Sequence, residues 1–105
     1  MNKFTFAQAL FQTSKFNTEY VRLLEKDTFD LGFYQPTGHD LQTPHPRDEI
    51  YFIASGSGEF ICGNETQSFS SGDVFFVSSG VEHKFLNFSK DFAAWVVFFN
   101  PKTKL

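Results

Sequence analysis

One cysteine, Cys62, is all that the 105-residue chain contains. A lone thiol closes no internal disulfide and builds no cysteine-based zinc site, so Cys62 reads as a small apolar strand residue. Positive charge is scarce as well: 9 Lys and Arg stand against 12 Asp and Glu, a net charge of −3. Such a balance offers no general attraction to phosphate backbones or anionic lipid, which argues against nucleic acid and membranes as partners. Long apolar runs are missing too. None approaches the roughly 20 residues of a membrane-spanning helix, and Gln8 and Gln12 interrupt the amino-terminal stretch that a secretory signal would need. A soluble cytoplasmic protein is the expectation. Helices between the apolar runs are also lacking, which disfavours a parallel βαβ architecture.

What the chain does have is aromatic and aliphatic mass: 41% of its residues are hydrophobic and 16 are Phe. That volume suffices for a packed interior, and the length fits one domain spanning residues 1–105. Near the start, Ala7, Leu10 and Phe11 fall at helical spacing and predict a short helix over roughly residues 5–11. Beyond it come short runs rich in Phe, Val, Ile and Tyr: EYVRLLEK, TFDLGFYQ, EIYFIAS, EFIC, TQSFS, DVFFV, HKFLNF and FAAWVVFF. Gly, Pro, Ser, Asn and Asp separate them at the spacing of a small all-β sandwich or barrel. The GSG at 56–58 has no helix after it and reads as a hairpin rather than a phosphate loop. The polar tail PKTKL is expected to fray.

Two runs carry further information. In TFDLGFYQ, Phe29, Leu31 and Phe33 alternate with Asp30, Gly32 and Tyr34, which predicts one buried and one exposed face. FAAWVVFF is apolar on both faces, so both need cover. A second copy of the chain would supply it, hence the expectation of a homodimer.

Histidine and glutamate supply the candidate chemistry. In an extended segment, residues two or four apart share a face, which groups Thr43, His45 and Glu49 with Tyr51 and Ile53. Pro44 and Pro46 can bend that segment. Downstream, His83, Phe85 and Asn87 also share a face, after a glycine-containing turn. If the two faces line one barrel, two imidazoles and a carboxylate converge, a donor set suited to Fe, Mn, Co, Ni or Zn. The plainer alternative is a hydrogen-bonded histidine at a barrel end and a Glu49 that caps a surface turn.

The stretch from Thr43 to Gly56 resembles the first motif of the cupin superfamily, a His-x-His pair followed by Glu and then Gly, with His45, Glu49 and Gly56 in register. Gly72 to Asn87 resembles the second, Gx5PxGx2Hx3N, with Gly72, Gly80, His83 and Asn87 in register. The resemblance implies a small single-domain cupin: a double-stranded β-helix, or jelly-roll barrel, holding one divalent metal ion through His45, Glu49 and His83. Thr43 stands where the family has its first metal histidine, and Ser78 where it has proline. Gln42, Thr43 or His39 are candidates for a fourth ligand or for holding a water, against solvated loop positions as the alternative. Tyr51, Phe85 and Trp95 are either pocket-lining or core. Arg47 either clamps an anion or is solvated. The resemblance further implies a metal-dependent enzyme of dioxygenase, decarboxylase, isomerase or lyase type acting on a small molecule, or a non-catalytic binder of a small molecule or sugar. A DNA-binding regulator is disfavoured, since no helix-turn-helix segment is visible.

Overall fold

The computed structural model of the chain describes residues 1–100. The tail at 101–105, with the expectation that it frays, lies outside the described residues. Helix α1 spans Phe6–Lys15 and eight strands follow: β1 Tyr20–Glu25, β2 Phe29–Tyr34, β3 Asp48–Ser55, β4 Ser57–Cys62, β5 Glu65–Ser70, β6 Val74–Val77, β7 His83–Leu86 and β8 Ala93–Phe99. They form a five-stranded sheet, β1-β2-β8-β3-β6, and a three-stranded one, β5-β4-β7. Every pairing is antiparallel. No helix among the described residues is long and apolar enough to cross a membrane.

The strands form where the apolar runs stand, and alternation decides what they bury. In β3, Glu49, Tyr51 and Ile53 point inward and are buried, as their parity predicts. Phenylalanine fills the space between the sheets. Phe85 of β7 meets Tyr51 of β3, Phe60 of β4 and Phe92 at ring separations of 5.0, 4.6 and 4.6 Å. Such edge and tilted contacts add about 0.5–1.5 kcal/mol per pair beyond area burial.

Helix α1 is longer than its apolar spacing suggests. A capping box starts it, with the Thr5 hydroxyl accepting from the Gln8 backbone N–H and the Gln8 side chain accepting from the Thr5 N–H. It then continues through polar residues because Thr13 is buried, its hydroxyl 2.9 Å from both the Leu10 carbonyl and the Gln35 side-chain oxygen. The helix covers the β1–β2–β8 part of the large sheet's outer face, where Ala9 packs with Phe33 and Ala93 beside Leu23 and Trp95.

That placement corrects two expectations. β2 is not half exposed: Phe33 lies beneath the helix, while the opposite face turns into the barrel and buries Asp30 to 5% exposure. The outward face of β8 draws its cover at Ala93 and Trp95 from the same chain's helix, not from a second copy. GSG is not a hairpin either, because β3 and β4 belong to different sheets. Gly56 makes the corner between them at φ +88°, with room only for hydrogen: a Cβ there would stand 2.6 Å from Phe92 Cα.

Candidate metal centre

Three elements bring the histidines and glutamate together. Glu49, the second residue of β3, faces inward between Val77 of β6 and Phe98 of β8 and is wholly buried. His83 opens β7 and is 4% exposed. His45 sits in the loop before β3, half-buried, with its ring edge-on to Phe98 at 5.4 Å. The flanking prolines do not swing it away, because the Gly80 N–H donates to the His45 carbonyl oxygen at 2.7 Å. The metal-competent atoms of His45, Glu49 and His83 all lie within 4.8 Å of one another.

Both carboxylate oxygens of Glu49 are buried and make no hydrogen bond. The imidazoles flank Glu49 Oε1, His83 Nε2 at 3.4 Å and His45 Nε2 at 3.8 Å. His83 Nδ1 stands 2.8 Å from the Val81 carbonyl, which can only accept, so the proton is assigned to Nδ1 and Nε2 of the neutral ring presents a lone pair. Burial alone would lower the His83 pKa, but Glu49 and the Val81 carbonyl outweigh it and hold the imidazole above its ordinary value. Burial, then Glu49, push the Tyr51 phenol far above its ordinary range, so it remains a hydroxyl.

Two nitrogens and a carboxylate are a donor set for first-row divalent metals. Donors sharing one ion at about 2.1 Å stand about 3.0–3.5 Å apart. The 3.4 Å pair meets that separation and the 3.8 Å pair is slightly wide. The residues therefore fit a metal, and a buried carboxylate without a partner is costly in any other arrangement.

Of the other candidates, Gln42 and Tyr51 reach the cluster. The Tyr51 hydroxyl is 3.0 Å from Gln42 Oε1 and 3.2 Å from His83 Nε2. His39 is exposed and stands outside it, and Thr43 is exposed. Phe85 belongs to the core, and Trp95 packs on the outer side of the sheet against Phe33. Asn87 does not share the inward face of His83 and Phe85: β7 ends at Leu86, Asn87 turns at φ +49°, and its amide donates to Glu59. Arg47 is not freely solvated, since its guanidinium donates to Asp30 at 2.8 Å and Asn100 at 3.0 Å and lies 4.6 Å from the Phe98 ring centre.

Beside the cluster opens a cavity of about 530 Å³, bordered by Tyr20, Asp30, Tyr34, Arg47 and Phe98 as well as Gln42, His45 and Tyr51. Its polar wall on β2 was hidden in the sequence as an apparently solvent-facing parity. Asp40 is the further residue of the site that no metal-ligand spacing marks; its one local signal is an Asp two residues before Gln42, the pattern of an Asx turn.

Residues 32–99 match the family model described as the cupin domain. An uncharacterized protein of Streptomyces coelicolor, SCO3923, is 36% identical over 86 residues, covering 80% of this chain and 82% of that protein. The structure of KdgF from Halomonas sp. superposes with a TM-score of 0.68 at 15% identity, covering 79% of this chain and 78% of KdgF. The plu4264 protein of Photorhabdus luminescens gives 0.68 at 14% identity, covering 95% of this chain and 87% of that one. At these identities the two structures speak for the fold alone. The matched span starts within β2 and closes at the last residue of β8, taking in both motifs and the strands that carry them: the chain belongs to the cupin domain family.

Proposed function

We propose that this cupin holds one divalent first-row metal ion, Fe, Mn, Co, Ni or Zn, through His45, Glu49 and His83, and presents it to a small molecule entering the adjoining cavity. The observation that carries the proposal is the wholly buried Glu49 carboxylate, unpartnered and flanked by two imidazole nitrogens. Bound there, the ion supplies Lewis acidity toward a ligand oxygen. The chain's own part is to hold His83 in one tautomer through Val81, to offset the charge with Glu49, and to keep one hydroxyl proton on Tyr51 beside the donors. Phe98, Tyr34 and Tyr20 form an aromatic wall that displaces water from a ligand.

A non-catalytic binder is the second reading, and one observation favours it. Of the other carboxylates near the cavity, Asp40 accepts from four donors, and Asp30 pairs with Arg47 through Oδ2 while its Oδ1 stays buried without a partner. Among the described residues, each of these two carboxylates is thus held by a cation or by hydrogen bonds, which leaves neither as a free general base. Elemental analysis of protein purified with Fe, Mn, Co, Ni and Zn supplied tests the metal. About one ion per chain is expected in the wild type and loss of it in His45→Ala and His83→Ala with the fold kept; a wild type that stays metal-free sinks the proposal. Oxygen consumption with thiols, diketones and phenols then separates an oxygenase from a binder.

The proposal includes a homodimer. Helix α1 leaves the β3–β6 side of the large sheet's outer face uncovered, where Phe52, Val74 and Phe76 are 41%, 55% and 59% exposed in adjoining register. Two such faces, related by a twofold axis, cover one another.

A further inference from the structure

We infer that Gln42 Oε1 is a fourth metal donor, supplied by the loop in place of the histidine that Thr43 replaces. The inference rests on the proposed metal centre and extends it by one ligand.

The orientation of the Gln42 amide is set by its neighbours. Asp40 is buried to 5% exposure. It accepts four hydrogen bonds: from the Tyr34 hydroxyl at 2.6 Å, the Gln42 backbone N–H at 3.1 Å, Gln42 Nε2 at 2.7 Å and the Phe85 N–H at 2.8 Å. A carboxylate only accepts, so the Gln42 NH₂ group must face Asp40 and the carbonyl oxygen must face the other way. That oxygen lies 3.1 Å from His83 Nε2, 3.4 Å from His45 Nε2 and 3.0 Å from the Tyr51 hydroxyl.

The result is a crowd of acceptors. In its neutral form, the one that can ligate a metal, His83 keeps its proton on the Val81 side and turns a lone pair toward the lone pairs of Gln42 Oε1, and the Tyr51 hydroxyl brings one proton to the two of them. Glu49 adds two more unpartnered oxygens. Lone pairs facing one another at such separations repel unless a cation sits among them. The separations of Gln42 Oε1 from the two imidazole nitrogens match the roughly 3.0–3.5 Å between donors on one ion. Thr43 is exposed, whereas Gln42 Oε1 already stands among the donors. Asp40 is the positioning residue: it ties the Gln42 loop to β2 through Tyr34 and to β7 two residues after His83.

The test is titration of chelator-treated protein with Co(II), followed by calorimetry and by the visible absorption of the bound ion, which reports its ligand number. Wild type, Gln42→Leu, Thr43→Ala and His83→Ala are compared after near-ultraviolet circular dichroism confirms that each is folded. Gln42→Leu is expected to bind about 10-fold or more weakly, with its absorption bands shifted and their intensity changed, whereas Thr43→Ala matches wild type. Should leucine disturb the packing, Gln42→Met, unbranched and of similar length, takes its place. Unchanged affinity and spectrum in the Gln42 variant overturn the inference and leave a three-residue site. Weaker binding with an unchanged spectrum also overturns it, since Gln42 then supports the site without touching the ion. Failure of wild type to bind Co(II) overturns the metal centre itself.

Discussion

The backbone N–H of Gly80 donates to the carbonyl oxygen of His45 at 2.7 Å, so the turn that leads into His83 also anchors the loop carrying the other imidazole. Histidines far apart in the chain are thereby held by one local contact. Gly80 adopts φ +79° with nothing within 4 Å of the position a Cβ would take. Gly80→Ala therefore meets only the backbone penalty and is expected to cost about 1–2 kcal/mol. Gly56→Ala meets both a positive φ and the Phe92 backbone at 2.6 Å, and overpacking adds about 1–3 kcal/mol. Urea denaturation should rank Gly56→Ala as the more damaging; the reverse order would contradict this account of the corner.

Glu49 invites a prediction of opposite signs. Glu49→Gln keeps the shape and removes a buried charge that has no hydrogen bond. Metal-free protein should gain stability or hold level, by about 1 kcal/mol, while the stabilisation conferred by saturating Zn(II) or Co(II) should shrink sharply. Thermal melts of both proteins with and without metal check the two arms. A metal-free variant much less stable than wild type would mean that Glu49 has a structural partner.

Asp40→Asn replaces one accepting oxygen with a donating NH₂ group opposite donors that need an acceptor. A loss of about 2 kcal/mol in folding stability is expected, together with weaker Co(II) binding as the Gln42 amide loses its hold. Equilibrium unfolding and Co(II) titration measure the two effects, and wild-type values in both would show that Asp40 positions nothing.

Phe76→Glu places a charge on the uncovered outer face of the sheet, opposite to the inward face that carries Glu49. Sedimentation should show wild type as a dimer that dissociates on dilution and the variant as a monomer, with metal content unchanged. A wild type that is monomeric at every concentration removes the homodimer.

Much of the scaffold was legible along the chain. Each of the eight strands overlaps one of the runs read from the sequence, with β3, β4 and β5 starting one or two residues earlier, because β-branched and aromatic residues bounded by turn formers specify an extended segment locally. Parity also placed Glu49, Tyr51 and Ile53 on one face, since β3 is regular enough for a period of two to hold. For Asn87 parity failed, because its strand had already ended and the backbone turned to positive φ.

By itself, then, the sequence determined the strands, their two-faced character and the residue types able to hold a metal. Alternation distinguishes two faces but not their surroundings. Only the tertiary structure decided that the Asp30–Tyr34 side of β2 lines a cavity and the Phe33 side lies beneath a helix. Loops have no period at all, so the placing of His45 by Gly80 and of Gln42 by Asp40 rests on hydrogen bonds between segments 35 and 2 residues apart, respectively, that form only once β2, β3 and β7 have closed around them.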